Sequence, residues 1–496
     1  MASEHFDVLI VGAGLSGVGA GCHLRRECPD KSFLLLEARD SIGGSWDLFR
    51  YPGIRSDSDM YTLGYNFKPW AEAKAIADGP SILEYVKETA REYGVDERIR
   101  TGHRAVAAEW SSEEARWTVE AERTDSGERA RFTCGFLLMC SGYYSYDDPY
   151  TPELAGRDRF AGTVVHPQLW TDDIEYAGKR VVVIGSGATA VTLVPALAEK
   201  AEHVTMLQRS PSYIVTLPAE DGIANSLRRW LPARLAYAIV RWKNVLVTML
   251  VFQLSRRRPR WVKSMVRKGV ERRLPAGYDV DTHFKPKYNP WDQRMCLVPD
   301  GDLFEAISRG DAAIVTDTID TFTEKGLRLG SGEELEADLV VTATGLTLLP
   351  LGGTNLTVDG REIELPKTMG YKGMMLSGVP NLAVALGYTN ASWTLKCDLT
   401  CQYVCRLLNY MDEHGYRQCV PERDPTVEEE PFIDFNSGYV LRAIDRFPRQ
   451  GSRAPWRLHQ NYALDIMALK LGSLEDEAMR FSGPEPAAAT AERLAA

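Results

Sequence analysis

Two glycine-rich loops, each between an apolar strand and an apolar helix, constrain the fold of this chain more than any other feature. The first reads GAGLSG at 12–17, after the apolar run 6–11, and the second reads GSGATA at 185–190, after the run 180–184. Strand, glycine turn and helix in this order predict a βαβ unit that binds a dinucleotide. We therefore predict an α/β fold with two Rossmann-like dinucleotide-binding domains.

The loop residues themselves are the first candidates for cofactor contacts. Gly12 permits the tight turn, Gly14 lets the backbone approach a pyrophosphate, and Gly17 lets helix and strand pack closely. Each loop opens a helix whose N-terminal N–H groups attract phosphate. The corresponding residues of the second loop are Gly185, Ser186, Gly187, Ala188, Thr189 and Ala190.

The residue that follows the second strand of each unit distinguishes the two sites. Glu37 lies 25 residues after Gly12, while Arg209, preceded by Gln208, lies 24 residues after Gly185. A carboxylate accepts hydrogen bonds from ribose hydroxyls and repels a 2′-phosphate, whereas a guanidinium binds that phosphate. The first site is predicted to bind FAD and the second NADPH. The alternative interpretation of Arg209 is a solvated surface charge.

Two further apolar strands that end in small-residue turns, at 136–144 and 339–347, predict where the chain passes between the two nucleotide domains. The FAD domain is then discontinuous. The predicted divisions are 1–150 and 340–482 for the FAD domain, 155–215 and 290–339 for the NADPH domain, 216–289 for a helical insertion near the substrate pocket, and 483–496 for a disordered tail.

Length and composition narrow the class of protein further. The chain has 496 residues, which predicts two or three domains, and its net charge of -10 argues against general nucleic-acid binding. The start lacks the features of a signal peptide, and nine irregularly spaced cysteines favour reduced thiols. Cys397, Cys401 and Cys405 share a helical face, where burial is favoured over a metal site. We expect a cytoplasmic protein that holds no metal.

The segment 221–275 is unusually basic for an acidic protein. It carries 14 lysines and arginines against two acids, and apolar stretches are interleaved with the charges. Arg241 and Lys243 interrupt the longest of these stretches, which makes it a poor spanning helix. Core helices with a solvated basic face are one interpretation. The other is peripheral, reversible attachment to an anionic membrane surface.

A fingerprint ahead of the second glycine loop identifies a family. Phe160, Gly162, His166 and Trp170 form the pattern FxGxxxHxxxW, and the chain thereby resembles the flavin-dependent Baeyer–Villiger monooxygenases. Thr171 departs from the proline or aspartate that often follows. The segments 43–65, 288–304, 387–399 and 451–462 resemble, more narrowly, the subgroup that activates the thioamide prodrug ethionamide. The resemblance covers nearly the whole chain.

The resemblance also implies roles for residues outside the glycine loops. Arg294 matches the arginine that stabilises the oxygenating flavin species, and Asp57 matches the active-site carboxylate beside it. An interdomain salt bridge is the alternative for Arg294, and a turn cap is the alternative for Asp57. His166 corresponds to a residue that couples domain motion, and a helix over 391–408 is expected to begin at Asn390. Further FAD contacts are expected from Ser16, Gly44, Ser45, Trp46, Asp47 and Ala105.

By the same resemblance, the expected reaction is the oxidation of a ketone to an ester or lactone. NADPH, O2 and a C4a-peroxyflavin drive it, and sulfides or thioamides are further substrates. A heteroatom oxygenase with little ketone activity is the main alternative. A disulfide reductase is disfavoured because no CxxC occurs. A flavin-bearing protein without NADPH turnover is a third alternative.

Overall fold

The computed structural model describes residues 3–433 and 435–483. The strands, in chain order, are β1 (Glu4–Val11), β2 (Phe33–Leu36), β3 (Ile99–Arg100), β4 (His103–Ser111), β5 (Arg116–Arg123), β6 (Arg129–Met139), β7 (Thr163–Val165), β8 (Arg180–Ile184), β9 (His203–Gln208), β10 (Ile214–Leu217), β11 (Cys296–Pro299), β12 (Ala312–Thr316), β13 (Ile319–Phe322), β14 (Gly326–Leu329), β15 (Glu334–Glu336), β16 (Leu339–Thr342), β17 (Asn355–Val358), β18 (Arg361–Glu362), β19 (Gly370–Tyr371), β20 (Met375–Leu376), β21 (Leu382–Val384), β22 (Gln418–Pro421), β23 (Glu429–Pro431), β24 (Arg449–Gly451) and β25 (Met479–Ser482).

The helices alternate with the parallel strands at both glycine loops. They are α1 (Leu15–Glu27), α2 (Ser45–Leu48), α3 (Met60–Leu63), α4 (Gly79–Glu92), α5 (Ala188–Ala198), α6 (Gly222–Trp230), α7 (Ala233–Arg257), α8 (Pro259–Glu271), α9 (Val280–His283), α10 (Asp302–Arg309), α11 (Trp393–His414), α12 (Gly438–Leu441) and α13 (Tyr462–Asp465). The first glycine loop joins β1 to α1, and the second joins β8 to α5, as the sequence predicts.

The larger sheet has the order β18-β17-β4-β5-β6-β1-β2-β3, and β21 also pairs with β6. The long strand β6 pairs with different strands along its two halves. Its first half pairs antiparallel with β5, and its second half pairs parallel with β21. Because β21 comes from the last third of the chain, this sheet is built from two distant segments. One face of β1 and β2 is buried beneath α1, α4 and α11, and the other face is buried against residues of β4, β5 and β6.

The second sheet is parallel throughout and has the order β12-β9-β8-β16-β7. Its central strands β8 and β16 consist almost entirely of buried β-branched residues, which is typical of a parallel sheet covered on both faces. Helices α5 and α10 cover one of these faces. The prediction of an α/β fold with two Rossmann-like units is confirmed.

The region between the paired strands β10 and β11 consists mainly of helices, and α7 is the longest of them. The inner face of α7 is tied to the larger sheet's helices through Arg241. Its guanidinium donates to the carbonyl oxygens of Tyr61 at 2.8 Å and Gly64 at 2.7 Å, and it lies 3.2 Å from the Asp398 carboxylate. By length and composition, α7 is the one helix of the described residues that could cross a bilayer.

The structure corrects one expected helix and confirms the burial of three cysteines. Helix α11 begins at Trp393, with Ser392 as its N-cap, and not at Asn390, whose side-chain amide instead donates to the Gln460 carbonyl oxygen at 2.9 Å. It continues past 408 to His414, because Met411 is still buried and the first left-handed residue is Gly415. Cys397, Cys401 and Cys405 are all buried on α11. Apart from Gly483, the predicted tail lies outside the described residues.

Candidate active site

A cavity of about 1090 Å³ lies between the two sheets, at the carboxyl ends of β1 and β8. Both glycine loops line it, and so do Asp57 and Arg294. Small-molecule pockets are typically about 300–1,000 Å³, so this cavity has room for more than a single small ligand. Its position matches the general rule that α/β proteins bind ligands beyond the carboxyl ends of their parallel strands.

The first glycine loop is held close to its surroundings at every glycine. Gly12 has a φ of +99°, and a Cβ placed on it would lie 2.6 Å from the Cys140 carbonyl oxygen. A Cβ on Gly14 would lie 3.3 Å from the Cα of Gly44, which also lines the cavity. Gly17 does not reach the cavity; a Cβ there would lie 1.9 Å from the Gly12 carbonyl oxygen, so its role is helix packing.

Glu37 is buried at the end of β2 and holds the first loop in place. One carboxylate oxygen accepts the Ala13 N–H at 2.7 Å, and the other accepts the Arg39 N–H at 3.0 Å. Burial raises the pKa of Glu37, although these two hydrogen bonds oppose the rise. Each oxygen retains a second lone pair, so the carboxylate can support the loop and still accept a ribose hydroxyl.

The two loops differ at their second glycine, because the backbone of Gly14 is closely packed whereas that of Gly187 faces open space. Gly185 has a φ of +139°, and a Cβ there would lie 2.3 Å from the Ala343 carbonyl oxygen. By contrast, a Cβ on Gly187 would meet nothing within 4 Å, although Gly187 lines the cavity. Packing within the protein therefore does not explain this glycine, whereas a ligand lying against the backbone does. Ser186, Ala188 and Thr189 line the cavity as well, and Ala190 is buried behind it.

Arg209 lies where the sequence predicts, at the cavity wall after β9. It is exposed, and within the described residues it makes no hydrogen bond or ion pair, so its guanidinium can take up an anion. Its neighbour Gln208 is buried, and its amide nitrogen donates to the carbonyl oxygen of His283 at 2.8 Å and to the Thr316 hydroxyl at 2.9 Å. Gln208 thus supports the strand and does not line the cavity.

The remaining expected FAD contacts divide into wall residues and supports. Ser16, Gly44, Ser45, Trp46 and Ala105 line the cavity. The Ser16 hydroxyl accepts the Trp393 indole N–H at 2.8 Å, which connects the first loop to the start of α11. Asp47 does not line the cavity. It is buried and binds Arg39 at 2.6 Å, so it positions a wall residue.

Arg294 and Asp57 form an ion pair at the cavity wall, with 2.6 Å between guanidinium nitrogen and carboxylate oxygen. The charge of Asp57 raises the pKa of Arg294 and outweighs the opposing effect of burial. About a third of each side chain remains accessible, 36% for Arg294 and 28% for Asp57. The pair is therefore a fixed cation with one open side. Asp57 is bonded to Arg294 and is more than a turn cap.

Three tyrosines around Arg294 were not identified from the sequence. The Tyr143 and Tyr144 rings contact each other at an interplanar angle of 58°, with centroids 4.5 Å apart, and Tyr439 lies in the same cluster on the cavity wall. Burial raises the pKa of all three phenols, so they remain neutral donors at physiological pH. No spacing pattern joins 143–144 to 439. Only the fold brings them together.

The fingerprint residues do not line the cavity, and two of them, His166 and Trp170, lie in the linker between β7 and β8. Gln168 donates its backbone N–H to Nδ1 of His166 at 3.1 Å, so the ring proton resides on Nε2, which donates to the Gly345 carbonyl oxygen at 3.1 Å. Burial lowers the pKa of His166. Because Gly345 belongs to the segment that leaves β16 along the cavity, His166 fixes that segment to the linker before β8. Trp170 is buried against Tyr176 in the second sheet's core.

The two loops fit dinucleotides by a further observation. Neither α1 nor α5 has a side-chain cap at its N-terminus, where Gly14 and Gly187 stand as N-cap residues facing the cavity. Such uncapped N–H groups attract phosphate oxygens. With the open space at Gly187, the buried Glu37 and the exposed Arg209, the residues present fit two dinucleotides, one of which carries a 2′-phosphate.

Comparisons with known proteins agree with this geometry. The family model described as flavin-binding monooxygenase-like matches residues 76–350, and that of an NAD(P)-binding Rossmann-like domain matches residues 10–72. The FAD-containing monooxygenase EthA of Mycobacterium tuberculosis H37Rv is 57% identical over 482 residues, which cover 97% of this chain and 98% of that protein. EthA of Mycolicibacterium smegmatis is 54% identical over 482 residues, with the same coverage of both chains.

A solved structure described as oxidised steroid monooxygenase bound to NADP aligns with a TM-score of 0.77 at 22% identity. It covers 97% of this chain and 100% of the other, and it shows a shared fold. The family model spans more than half of the chain, and the sequence relatives match almost all of it. The chain belongs to the flavin-binding monooxygenase-like family.

Proposed function

We propose that the protein is an NADPH- and O2-dependent flavin monooxygenase that converts ketones to esters or lactones and also oxygenates sulfides and thioamides. The observation that carries the ketone reaction is the Arg294–Asp57 ion pair, at 2.6 Å, on the wall of a cavity shared by two glycine loops. Family membership supports the oxygenation, and the two loops support the pair of cofactors.

FAD and NADPH are the cofactors of this reaction. The relatives that match almost the whole chain are named as FAD-containing monooxygenases, and the aligned steroid monooxygenase has NADP bound. Glu37 and the first loop suit FAD, because a carboxylate repels a 2′-phosphate. Arg209 and the second loop suit NADPH, because the exposed guanidinium can pair with that phosphate. When bound, the flavin is reduced by NADPH and activates O2.

Arg294 supplies a permanent positive charge beside the reacting atoms. Attack on a ketone carbonyl requires an anionic oxygen nucleophile, and a cation in a site with little water stabilises that anion more than bulk water does. Because its pKa is raised by Asp57, Arg294 keeps its proton at any physiological pH. Asp57 also fixes the direction of the guanidinium. Both roles belong to side chains that line the cavity.

The three phenols complete the surroundings of Arg294. Tyr143, Tyr144 and Tyr439 remain protonated, so they offer hydrogen bonds and no negative charge. A tyrosinate at any of these positions would pair with Arg294 and remove its charge from the nucleophile. Their partly buried rings also cover one side of the guanidinium.

Replacing Arg294 tests this proposal directly. In Arg294→Ala, ketone oxygenation should fall by roughly 100- to 1,000-fold, because one charge-stabilising donor contributes that much in comparable sites. Reduction by NADPH and flavin content should remain. Arg294→Lys keeps the charge without the paired geometry and should recover part of the activity. Ester or lactone formation at the wild-type rate by Arg294→Ala would refute the assignment.

The alternative is a heteroatom oxygenase with little ketone activity. Oxygen transfer to a soft sulfur or nitrogen needs a protonated oxygen donor, so it does not require the Arg294 charge. The same variant separates the two functions. Equal loss of sulfoxide and ester would favour a role for Arg294 in cofactor geometry, whereas selective loss of the ester supports its action on the anionic nucleophile.

A further inference from the structure

Most of the large apolar side chains that are exposed in the described part of the chain lie on helices α6, α7 and α8. On α7, Leu235, Ile239, Trp242, Leu246 and Leu250 recur every three or four residues, so they form one continuous stripe facing solvent. We call these five residues the apolar ridge. Leu246 is 58% exposed and Leu250 is 59% exposed, and Trp230, next to the start of α7, is 83% exposed.

The opposite face of α7 is equally well defined. Tyr237, Val240, Arg241 and Val245 are buried against the protein. The buried Arg241 guanidinium bonds two backbone carbonyls and Asp398, so α7 is fixed to the protein and does not span a bilayer in this fold. An apolar ridge on a helix fixed in this way is an exposed surface and not a part of the core.

Cations without a partner in the described part of the chain lie on and between the same three helices. Arg229, Arg234, Arg257, Arg258, Arg260 and Lys268 are all exposed, and none has an ion-pair or hydrogen-bond partner for its side chain among the described residues. Arg256 and Arg267, by contrast, pair with Asp292 and Asp281. The cations are concentrated here even though the whole chain has a net charge of -10.

We propose that the outer face of α6–α8 is a docking surface for an anionic lipid bilayer, on which α7 lies in the plane of the interface. The apolar ridge enters the boundary between headgroups and acyl chains, while these cations contact lipid phosphates. The exposed tryptophans Trp230, Trp242 and Trp261 suit this boundary, where aromatic rings with a polar edge are enriched.

The charge distribution favours lipid over a second copy of the chain. A twofold dimer through this face would bring two identical basic patches together, and like charges across an interface are costly. An anionic membrane neutralises the same patch. The same bilayer then makes favourable contacts with both the apolar ridge and the cations.

Docking in this orientation would bring the membrane close to the cavity. Val245 and Met249, on the inner side of α7, pack with Tyr388 and Ala391, and the latter two line the cavity. Apolar substrates dissolved in the bilayer would therefore lie one helix away from the site. The lipid contact itself does not depend on which substrate is oxygenated.

Vesicle flotation of the full-length, flavin-loaded protein tests the proposal. At low salt, the protein should float with vesicles of phosphatidylcholine and phosphatidylglycerol in equal amounts, and far less with phosphatidylcholine alone. Salt near ~0.5 M should weaken the binding, because the Debye length falls to a few ångströms. Absence of binding to the mixed vesicles at low salt would overturn the proposal.

Variants separate the ridge from the cations. Leu246→Glu with Leu250→Glu should abolish flotation, and Arg257→Gln with Arg260→Gln should weaken the partition coefficient by roughly 25-fold, about fivefold for each cation. The matched control is Leu169→Glu, a leucine 56% exposed outside these helices, which should float as the wild type does. All variants should oxidise NADPH normally. Binding that none of the ridge or cation variants changes would contradict the proposal.

Sedimentation velocity tests whether a second copy of the chain, and not lipid, covers this face. The wild-type protein should sediment as the same species as Leu246→Glu/Leu250→Glu. A wild-type dimer that this double substitution separates, together with no flotation of the wild type, would assign the face to a second copy and refute the membrane contact.

Discussion

Arg294 forms a salt bridge between two segments of the chain and also presents its positive charge to the cavity. Its ion pair with Asp57 does join two separate segments of the chain, as the alternative interpretation requires. Yet the guanidinium still opens to the cavity, and both partners line it. Structural pairing and charge stabilisation are therefore compatible in one residue, because an arginine has more donors than one carboxylate uses.

Arg209 provides a second prediction at this scale. Arg209→Gln should raise the KM for NADPH by roughly 10- to 100-fold, since hydrogen bonds to a charged group contribute about 1.5–3 kcal/mol. The KM for NADH should not change, because NADH lacks the 2′-phosphate. Steady-state oxidation of both nucleotides checks this. Lys200→Gln, which removes another exposed cation of the same unit, is the control. An equal change for both nucleotides would contradict the assignment.

His166 predicts a specific pH dependence of stability. Its folded-state pKa is lowered by burial, so between that value and the unfolded value of about 6.5 the unfolded chain binds the extra proton. The contribution of His166 to the free energy of unfolding is therefore complete above pH ~6.5. This contribution is lost as the pH falls from there through the folded-state pKa. The difference in melting temperature between wild type and His166→Asn should narrow on acidification. A constant difference would show that His166 does not titrate in this way.

At the residue scale, sequence patterns predict residues whose role depends on local spacing. Both glycine loops, Glu37 and Arg209 lie where spacing indicates, because one βαβ unit determines their positions. Gln208 does not reach the cavity, since successive residues of a strand point to opposite faces and its amide bonds His283 and Thr316. Tyr439 could not be found in this way, because no local pattern relates it to Tyr143.

At the scale of elements, three helices meet at one buried group. Asp398 on α11 binds Arg241 on α7 at 3.2 Å and His23 on α1 at 3.2 Å. Burial disfavours a charge on His23, but its hydrogen bonds to Asp398 and Glu27 raise its pKa overall. The helical insertion is thus connected to the larger sheet by charge as well as by apolar packing.

This junction predicts a large loss of stability when one partner is removed. Asp398→Asn should lower the free energy of unfolding by about 3–5 kcal/mol, because Arg241 would remain buried without its carboxylate. Replacing both residues, as Arg241→Met with Asp398→Leu, should be milder. Chemical denaturation of both variants, with flavin release as a second signal, provides the comparison. Equal stability of wild type and Asp398→Asn would contradict a structural role for the pair.

The ends of strands and helices are predicted from the sequence only where local residues determine them. The strand 180–184 is predicted correctly, because it is short, apolar and followed by a turn. Helix α11 starts later and ends later than 391–408, since tertiary contacts of Asn390 and Met411 determine its ends. The division of strand β6 between two partners could not be predicted, because it depends on β21 returning from far along the chain.

At the scale of the whole molecule, the fold follows from a repeated unit. One mixed sheet and one parallel sheet each present a glycine loop at the carboxyl end of a parallel strand, and the cavity forms where these ends face each other. Sequence reasoning predicts both sheets because each βαβ unit is local. It does not predict the size of the cavity or the tyrosines in its wall, which depend on how the two units pack.

Oxygenation of a ketone under labelled dioxygen tests the proposed reaction most directly. The purified yellow protein would be incubated with NADPH and either a simple ketone or a thioether, and the products would be analysed by mass spectrometry. We predict one labelled oxygen atom in the ester or lactone, and label in the sulfoxide as well. Label in the sulfoxide alone, with the ketone unchanged, would contradict Baeyer–Villiger chemistry and assign the protein to the heteroatom oxygenases.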